Sequence, residues 1–342
     1  MHRPLRSLLA CLAALLVLAG ASCAATAAPE PEAETKGWNF VDDRGETITA
    51  PAVPKRIVAY TSSAGALWDL GIKAVGTFGP LSPVDGKPNP QAGNVVPAEV
   101  TNLGEEYGQA DIEKLASLQP DLIVYGTWSP DAELTDEEKK MAEIAPMVKI
   151  NHGKGATLDK TIARYAELAA SLGVDLNSPE LSQDKADFEA ASNRLRDWAK
   201  TKPDLRITAV ALATEMFYIA VPKDNADLAY YSSLGLNLVS PDNPNNGEFW
   251  EYLSWENADK YAADVIMWDT RSQALKPEQA AKEKASFAKL PAVETKQLVR
   301  WDYVSPPSYK LQSTVLNTLA DELAPVSNLT RDAPGCCRPG GK

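Results

Sequence analysis

The residues able to do acid–base or metal chemistry are few. Among 342 residues the only histidines are His2 and His152, and His2 falls in a leader-like segment, so one imidazole serves the body of the protein. That excludes a multi-histidine zinc or manganese site and leaves little for a histidine-dependent triad. No Gly-x-Ser-x-Gly elbow occurs either. What the chain offers instead is ring faces and hydrogen-bond donors, concentrated where short apolar runs end. Tyr60-Thr61-Ser62-Ser63, Phe78-Gly79-Pro80, Glu105-Glu106-Tyr107-Gly108-Gln109 and Tyr125-Gly126-Thr127-Trp128 lie in the first half. Thr214 to Tyr218, Tyr230-Tyr231, Phe249-Trp250, Trp268-Asp269-Thr270-Arg271 and Trp301-Asp302-Tyr303 lie in the second. Aromatic faces bury hydrocarbon, while Tyr O–H, Trp N–H and Arg donate to oxygen.

The elements that must position these groups read as an α/β rhythm. A strand-like pair, Trp38–Val41 and Glu46–Thr49, flanks the turn Asp42-Asp43-Arg44-Gly45. Strands then follow at Arg56–Tyr60, Ala74–Phe78, Asp121–Tyr125 and Pro146–Ile150, alternating with helices at Ala64–Leu70, Ile112–Leu118 and Glu137–Glu143. Leu158–Leu172 and Ser182–Lys200 read as two helices with no strand between them. The strand pattern resumes at Arg206–Leu212, Leu236–Val239, Val265–Trp268 and Leu298–Trp301, and Gln312–Leu323 closes as a helix. The expected fold class is therefore α/β, with two Rossmann-like lobes of mostly parallel sheet joined by a long rigid helix. Such a joint resists wide hinge motion, and the ligand site is expected where strand carboxyl ends of both lobes face each other.

Residues 1–22, with Arg3 and Arg6 ahead of the apolar run Leu8–Ala19, have the layout of a secretory signal peptide; a run of that length is too short to span a bilayer, which takes about 20 residues. Cys23 after Gly20-Ala21-Ser22 is a candidate lipidation site, although Gly20 stands where lipoprotein signals usually have Leu; cleavage near Ala25-Thr26-Ala27 would instead release a free protein. Residues 23–36 then form an extended tether, residues 37–157 a first lobe, 158–202 the helical connector, 203–326 a second lobe, and 327–342 a disordered tail carrying Cys336 and Cys337. The whole chain has 46 acidic and 34 basic residues, net −12. Loss of Arg3 and Arg6 leaves 32 basic residues against 46 acidic, net −14, which argues against nucleic acid or an anionic membrane surface as partner and favours a neutral or cationic ligand.

Four motifs in order are similar to one family: the extracytoplasmic substrate-binding proteins of iron-siderophore, haem and vitamin B12 ABC importers. They are Pro54-Lys55-Arg56-Ile57-Val58; Leu70-Gly71-Ile72-Lys73-Ala74-Val75-Gly76; Asp111-Ile112-Glu113-Lys114-Leu115 running into Gln119-Pro120-Asp121-Leu122-Ile123; and Ser254-Trp255-Glu256 followed by Ala263-Asp264-Val265-Ile266. The resemblance covers residues 37–326. It implies a bilobal, helix-backed monomer without catalysis that delivers ligand to membrane permease subunits. It also implies that Glu113 and Glu256, one per lobe, meet arginines on the permease. Family members that hold hydroxamates use an arginine and a tyrosine in the first lobe; here Tyr107 stands in the arginine's place and Trp128 near the tyrosine, so Arg271 becomes the candidate replacement donor.

The expected ligand is a ferric hydroxamate siderophore of the ferrioxamine type, held by Tyr107, Trp128, Tyr218, Trp250, Arg271 and Trp301. Its iron is saturated by the chelator, so neither a resident cofactor nor a protein ligand to metal is expected. Haem or cobalamin is the alternative ligand, and an exported hydrolase the alternative class. Trp68 and Trp255 read as packing residues, Phe217 as a side chain equally able to face inward or toward the cleft, and His152 as a loop residue past a strand.

Overall fold

The computed structural model describes residues 37–84, 86–245, 249–271 and 273–329. The signal peptide, Cys23, the tether and the tail from residue 330 onward, with Cys336 and Cys337, lie outside them; the tail's first residues are held, Ser327 N–H donating to Gln297 and Leu329 N–H to Asp264, each at 2.6 Å. No helix among the described residues is long and apolar enough to cross a membrane.

An antiparallel hairpin, β1 (Trp38–Val41) and β2 (Thr47–Ala50), leads into the first lobe. Strand β3 (Ile57–Tyr60) passes directly into α1 (Thr61–Asp69), followed by β4 (Gly76–Phe78), the short β5 (Thr101–Asn102), α2 (Ile112–Ser117), β6 (Leu122–Thr127), α3 (Asp136–Ala142) and β7 (Met147–Asn151). The five strands from β3 to β7 form a wholly parallel sheet in the order β5-β4-β3-β6-β7. Every residue of β3 and β6 is buried, as a strand covered on both faces by helices must be.

Two helices follow, α4 (Leu158–Ser171) and α5 (Pro179–Thr201). The second lobe contains β8 (Arg206–Leu212), β9 (Phe217–Ala220), α6 (Ala226–Ser233), β10 (Asn237–Leu238), β11 (Trp250–Leu253) and β12 (Val265–Asp269). It continues with α7 (Pro277–Glu283), α8 (Ala285–Ala288), α9 (Pro291–Glu294), β13 (Leu298–Trp301) and α10 (Tyr309–Leu323). Its sheet runs β11-β9-β8-β12-β13 with β10 beside β8. Here the structure corrects the sequence reading. Phe217 and Trp250 do not sit on connecting loops: β9 turns back antiparallel to β8, and β11 pairs antiparallel with β9.

The family motifs have a structural basis that repeats in both lobes. Asp121 accepts from the backbone N–H of Lys55 and of Arg56, each at 2.8 Å, tying the start of β6 to the start of β3. Asp264 does the same for Arg206 at 2.8 Å, tying β12 to β8. A carboxylate accepting backbone N–H bonds at a strand entrance satisfies donors that the parallel ladder leaves open and fixes register.

The connector is not a free rod. Along α4, Tyr165, Leu168 and Ala169 belong to the first lobe's core, whereas Leu158 and Ile162 belong to the second's. Helix α5 begins against the first core at Leu181 and then packs Phe188, Ala191, Leu195 and Ala199 into the second. Residues three and four apart share one helix face, so a single face of α4 grips both lobes.

Candidate ligand cleft

Four chain segments of the first lobe and three of the second converge on one cleft, open to solvent, with about 240 Å³ of internal room, and such clefts between packed lobes are where small molecules bind. Tyr60 ends β3, Pro80 and Gln91 come from the long β4–β5 connection, Tyr107 precedes α2 and Trp128 follows β6. Opposite stand Phe249, Arg271 with Gln273 after β12, and Tyr303 with Val304 after β13.

The first wall is a continuous ladder of rings. Tyr60 lies 5.7 Å from Phe78, 5.3 Å from Tyr125 and 5.8 Å from Tyr107, and Tyr107 lies 5.7 Å edge-on to Trp128. Two glycines allow this close approach. A side chain at Gly79, which has φ +97°, would stand 2.4 Å from the Tyr60 ring, and one at Gly153 would stand 2.2 Å from the Trp128 carbonyl. Behind the ladder, Lys149 and Glu138 form a buried ion pair at 2.6 Å, with the ammonium 5.4 Å from the Tyr125 ring centroid.

The second wall is built on Arg271. Its guanidinium lies 4.4 Å over Tyr303 and is bound by Asp269 through Nε and Nη2. Burial opposes its charge, but Asp269 outweighs that and raises the pKa above the ordinary arginine value. Burial likewise pushes the Tyr60, Tyr125 and Tyr303 phenols well above their usual range. At neutral pH these groups are O–H donors, so the cleft presents rings and neutral donors.

The structure brings three of the six expected contact residues, Tyr107, Trp128 and Arg271, into the lining. Trp301 is a correction. It is 1% exposed, donates its indole N–H to Asp227 at 2.6 Å and packs in the second lobe's core. Trp301 is the last residue of β13 and keeps its ring in that core; the chain leaves the sheet after it, and Tyr303 takes the cleft position instead. Trp250 stands behind that wall, 5.6 Å from Tyr303 and 5.7 Å from Trp301. Tyr218 pairs with Trp250 and Tyr252 across the antiparallel β9–β11 pair, outside the lining. Tyr60, Phe249 and Tyr303 carried a signal in the sequence, since each adjoins a strand end; Gln91, inside a Pro- and Gly-rich connection, carried none. Trp255 and Phe217 are buried in the second lobe, and Trp68 packs on the first lobe's core beneath Lys73.

A smaller chamber adjoins the cleft at Trp128, Tyr303 and Val304, with about 30 Å³ of room for water-sized molecules, enough for about two waters. His152 and Asp227 face it from opposite lobes. His152 follows β7 as expected but is buried, with Nε2 2.8 Å from the Tyr165 hydroxyl; burial lowers its pKa to about 4. Burial raises Asp227 to about 6, against the bonds from Trp301 and the Leu228 N–H. The lobes are joined here as well: Ala226 N–H donates to the His152 carbonyl at 3.2 Å, and Pro306 closes on Gly65, where a Cβ would stand 2.4 Å from its ring. Val304, at φ +63°, packs against cores of both lobes; a β-branched residue in that region is strained.

Glu113 and Glu256 are both exposed. Glu113 lies in the first turn of α2, just past the carboxyl end of β5. Glu256 lies in the 3-10 turn Trp255–Asn257, which follows β11. Because β11 runs parallel to β8 through two antiparallel pairings, each glutamate stands at the carboxyl end of its lobe's sheet, the end that carries the cleft.

The family model described as periplasmic binding protein matches residues 57–304. No curated protein matches the sequence. Among solved structures, DesE, a ferric-siderophore receptor protein from Streptomyces coelicolor, is 37% identical at TM-score 0.78, over 85% of this chain and 99% of that one. The FhuD protein from S. pseudintermedius is 25% identical at TM-score 0.57, over 85% and 99%. Holo-ViuP, 18% identical at TM-score 0.61, shares the fold. With its two α/β lobes, its cleft between strand ends and these matches, the chain belongs to the periplasmic binding protein family, extracytoplasmic solute binders and not enzymes.

Proposed function

We propose that this protein is the substrate-binding component of an ABC importer, and that it holds a ferric hydroxamate siderophore of the ferrioxamine type in the inter-lobe cleft. The observation that carries this reading is the pairing of the Tyr60–Tyr107–Trp128 ring ladder with a fixed Arg271 across one opening. A ferric hydroxamate is bulky, apolar along its methylene arms and lined with oxygens at the metal. Rings bury the arms, and the Arg271, Tyr and Trp donors meet the oxygens. The chelator saturates its iron, so the protein supplies no ligand to the metal. The 37% identity to a ferric-siderophore receptor supports the same class of solute.

Glu113 and Glu256 are the permease-docking anions in this proposal: two exposed charges on one stiff body set orientation and steer encounter. Acylation of Cys23 would hold the protein at the outer face of the membrane. The test is tryptophan fluorescence titration with iron-loaded siderophores, haem and cobalamin, since Trp128 lines the cleft. Saturable quenching by ferric hydroxamates is expected. Saturation by haem or cobalamin alone would overturn the proposal.

A further inference from the structure

Arg271 is the one charged side chain lining the larger cavity among its described residues, and its charge is met from behind. Asp269 ends β12 only 1% exposed. Its oxygens accept from the Arg271 backbone N–H at 2.9 Å, from Nε at 3.0 and 2.8 Å and from Nη2 at 2.6 Å. The Nε–Nη2 edge of the fork is thereby committed, with the plane of the group lying on Tyr303. A second carboxylate, the partly buried Asp227, faces the adjoining chamber. A further cation, Lys154, is exposed beside the lining with its ammonium 5.5 Å from the Phe249 ring centroid, where water and salt screen it; Lys149, behind the ring ladder, is paired with Glu138. Over these groups positive and negative charge cancel, and the cation nearest a ligand is neutralised at contact distance.

Ferric chelates divide by charge. Three hydroxamates, each a monoanion, neutralise Fe³⁺, whereas three catecholates, each a dianion, leave a trianion. An uncharged complex needs donors for its oxygens and no surplus cation. A trianion drawn out of water needs several unpaired cations to offset its lost hydration.

We propose that the Asp269–Arg271 pair makes this cleft select uncharged or cationic ferric complexes over anionic ones, with Asp269 as the specificity-determining residue that keeps Arg271 a hydrogen-bond donor and stops it acting as an anion receptor. The inference rests on the ferric-siderophore reading above and adds the residue pair that enforces the solute's charge class.

The experiment measures the affinities of the full chain for an uncharged ferric trihydroxamate and a trianionic ferric tris-catecholate, by fluorescence quenching in low and high salt. The wild-type protein is expected to favour the trihydroxamate. Asp269→Asn keeps the side-chain shape and one acceptor for Arg271; it is expected to narrow that preference at least tenfold through tighter tris-catecholate binding, with the gain shrinking in high salt. Gln273→Lys adds an unpaired cation at an exposed lining position, leaves the core untouched, and is expected to shift preference the same way even where Asp269→Asn folds poorly. Equal wild-type affinity for the two complexes, or an unchanged preference in both variants, overturns the inference. A shift with Gln273→Lys and none with a folded Asp269→Asn overturns the assignment to Asp269. Wild-type binding of neither complex instead overturns the ferric-siderophore reading itself.

Discussion

The chamber beneath the cleft is lined by two groups whose titrations oppose each other, and single substitutions should separate them. His152 takes a proton near pH 6.5 in an unfolded chain and only near 4 in the folded one. In that window the unfolded state binds more protons, so stability falls as the pH drops. Asp227 behaves the other way: it protonates near 3.8 unfolded and about 6 folded, so its share of stability rises as the pH drops through the same window. At about 1.4 kcal/mol for each tenfold change in proton affinity, each displacement corresponds to roughly 3 kcal/mol in full. In the wild-type protein the two nearly cancel between pH 6 and 4.5. Relative to wild type over that interval, His152→Gln should gain about 2 kcal/mol of stability and Asp227→Asn should lose about 2 kcal/mol. Urea denaturation of the purified protein at several pH values measures this directly, and the sign of each difference is independent of other carboxylates. Variants that both keep the wild-type pH profile would refute the assignment of these burial effects.

Other substitutions test the cleft and its support. Gly153→Ala drives a methyl group into the Trp128 backbone and is expected to destabilise the protein by about 1–3 kcal/mol while weakening ligand quenching of tryptophan fluorescence. Lys149→Met strands Glu138 in a buried site and should cost about 3–5 kcal/mol in thermal or urea unfolding, much of it recovered in the Lys149→Met, Glu138→Leu double variant. Trp128→Ala and Arg271→Ala are each expected to weaken ferric hydroxamate binding by about 1–3 kcal/mol in titrations. Glu113→Ala combined with Glu256→Ala should leave binding in solution intact and lower uptake of radiolabelled iron by cells; normal uptake would remove the docking assignment.

Much of the architecture was legible because its signals are local. Short apolar runs such as Ile57–Tyr60 and Leu122–Tyr125, broken by Gly71, Pro120 and Pro146, fix a buried parallel strand pattern without reference to distant residues. The motifs at Pro54–Val58 and Gln119–Ile123 were legible as a resemblance, and the bonds from Lys55 and Arg56 to Asp121 give its physical cause. The antiparallel pairing of β9 with β11 was not legible. Thr214 to Tyr218 and Phe249-Trp250 carry aromatic residues that suit a binding loop and a strand equally, and only pairing across about thirty residues decides between them.

The ring-rich strand ends, the near absence of imidazole and the acidic surplus were determined by sequence alone, and together they pointed to a carrier of an uncharged or cationic solute. Which rings reach that solute was decided by tertiary structure. Trp301 and Tyr303 are two residues apart, yet one is sealed on Asp227 and the other lines the cleft, because the chain leaves the sheet between them. Likewise, neither Asp269 nor Glu138 stands out in the sequence among 46 acidic residues. Their roles come from burial, which turns a carboxylate from a solvated charge into a fixed partner for one cation.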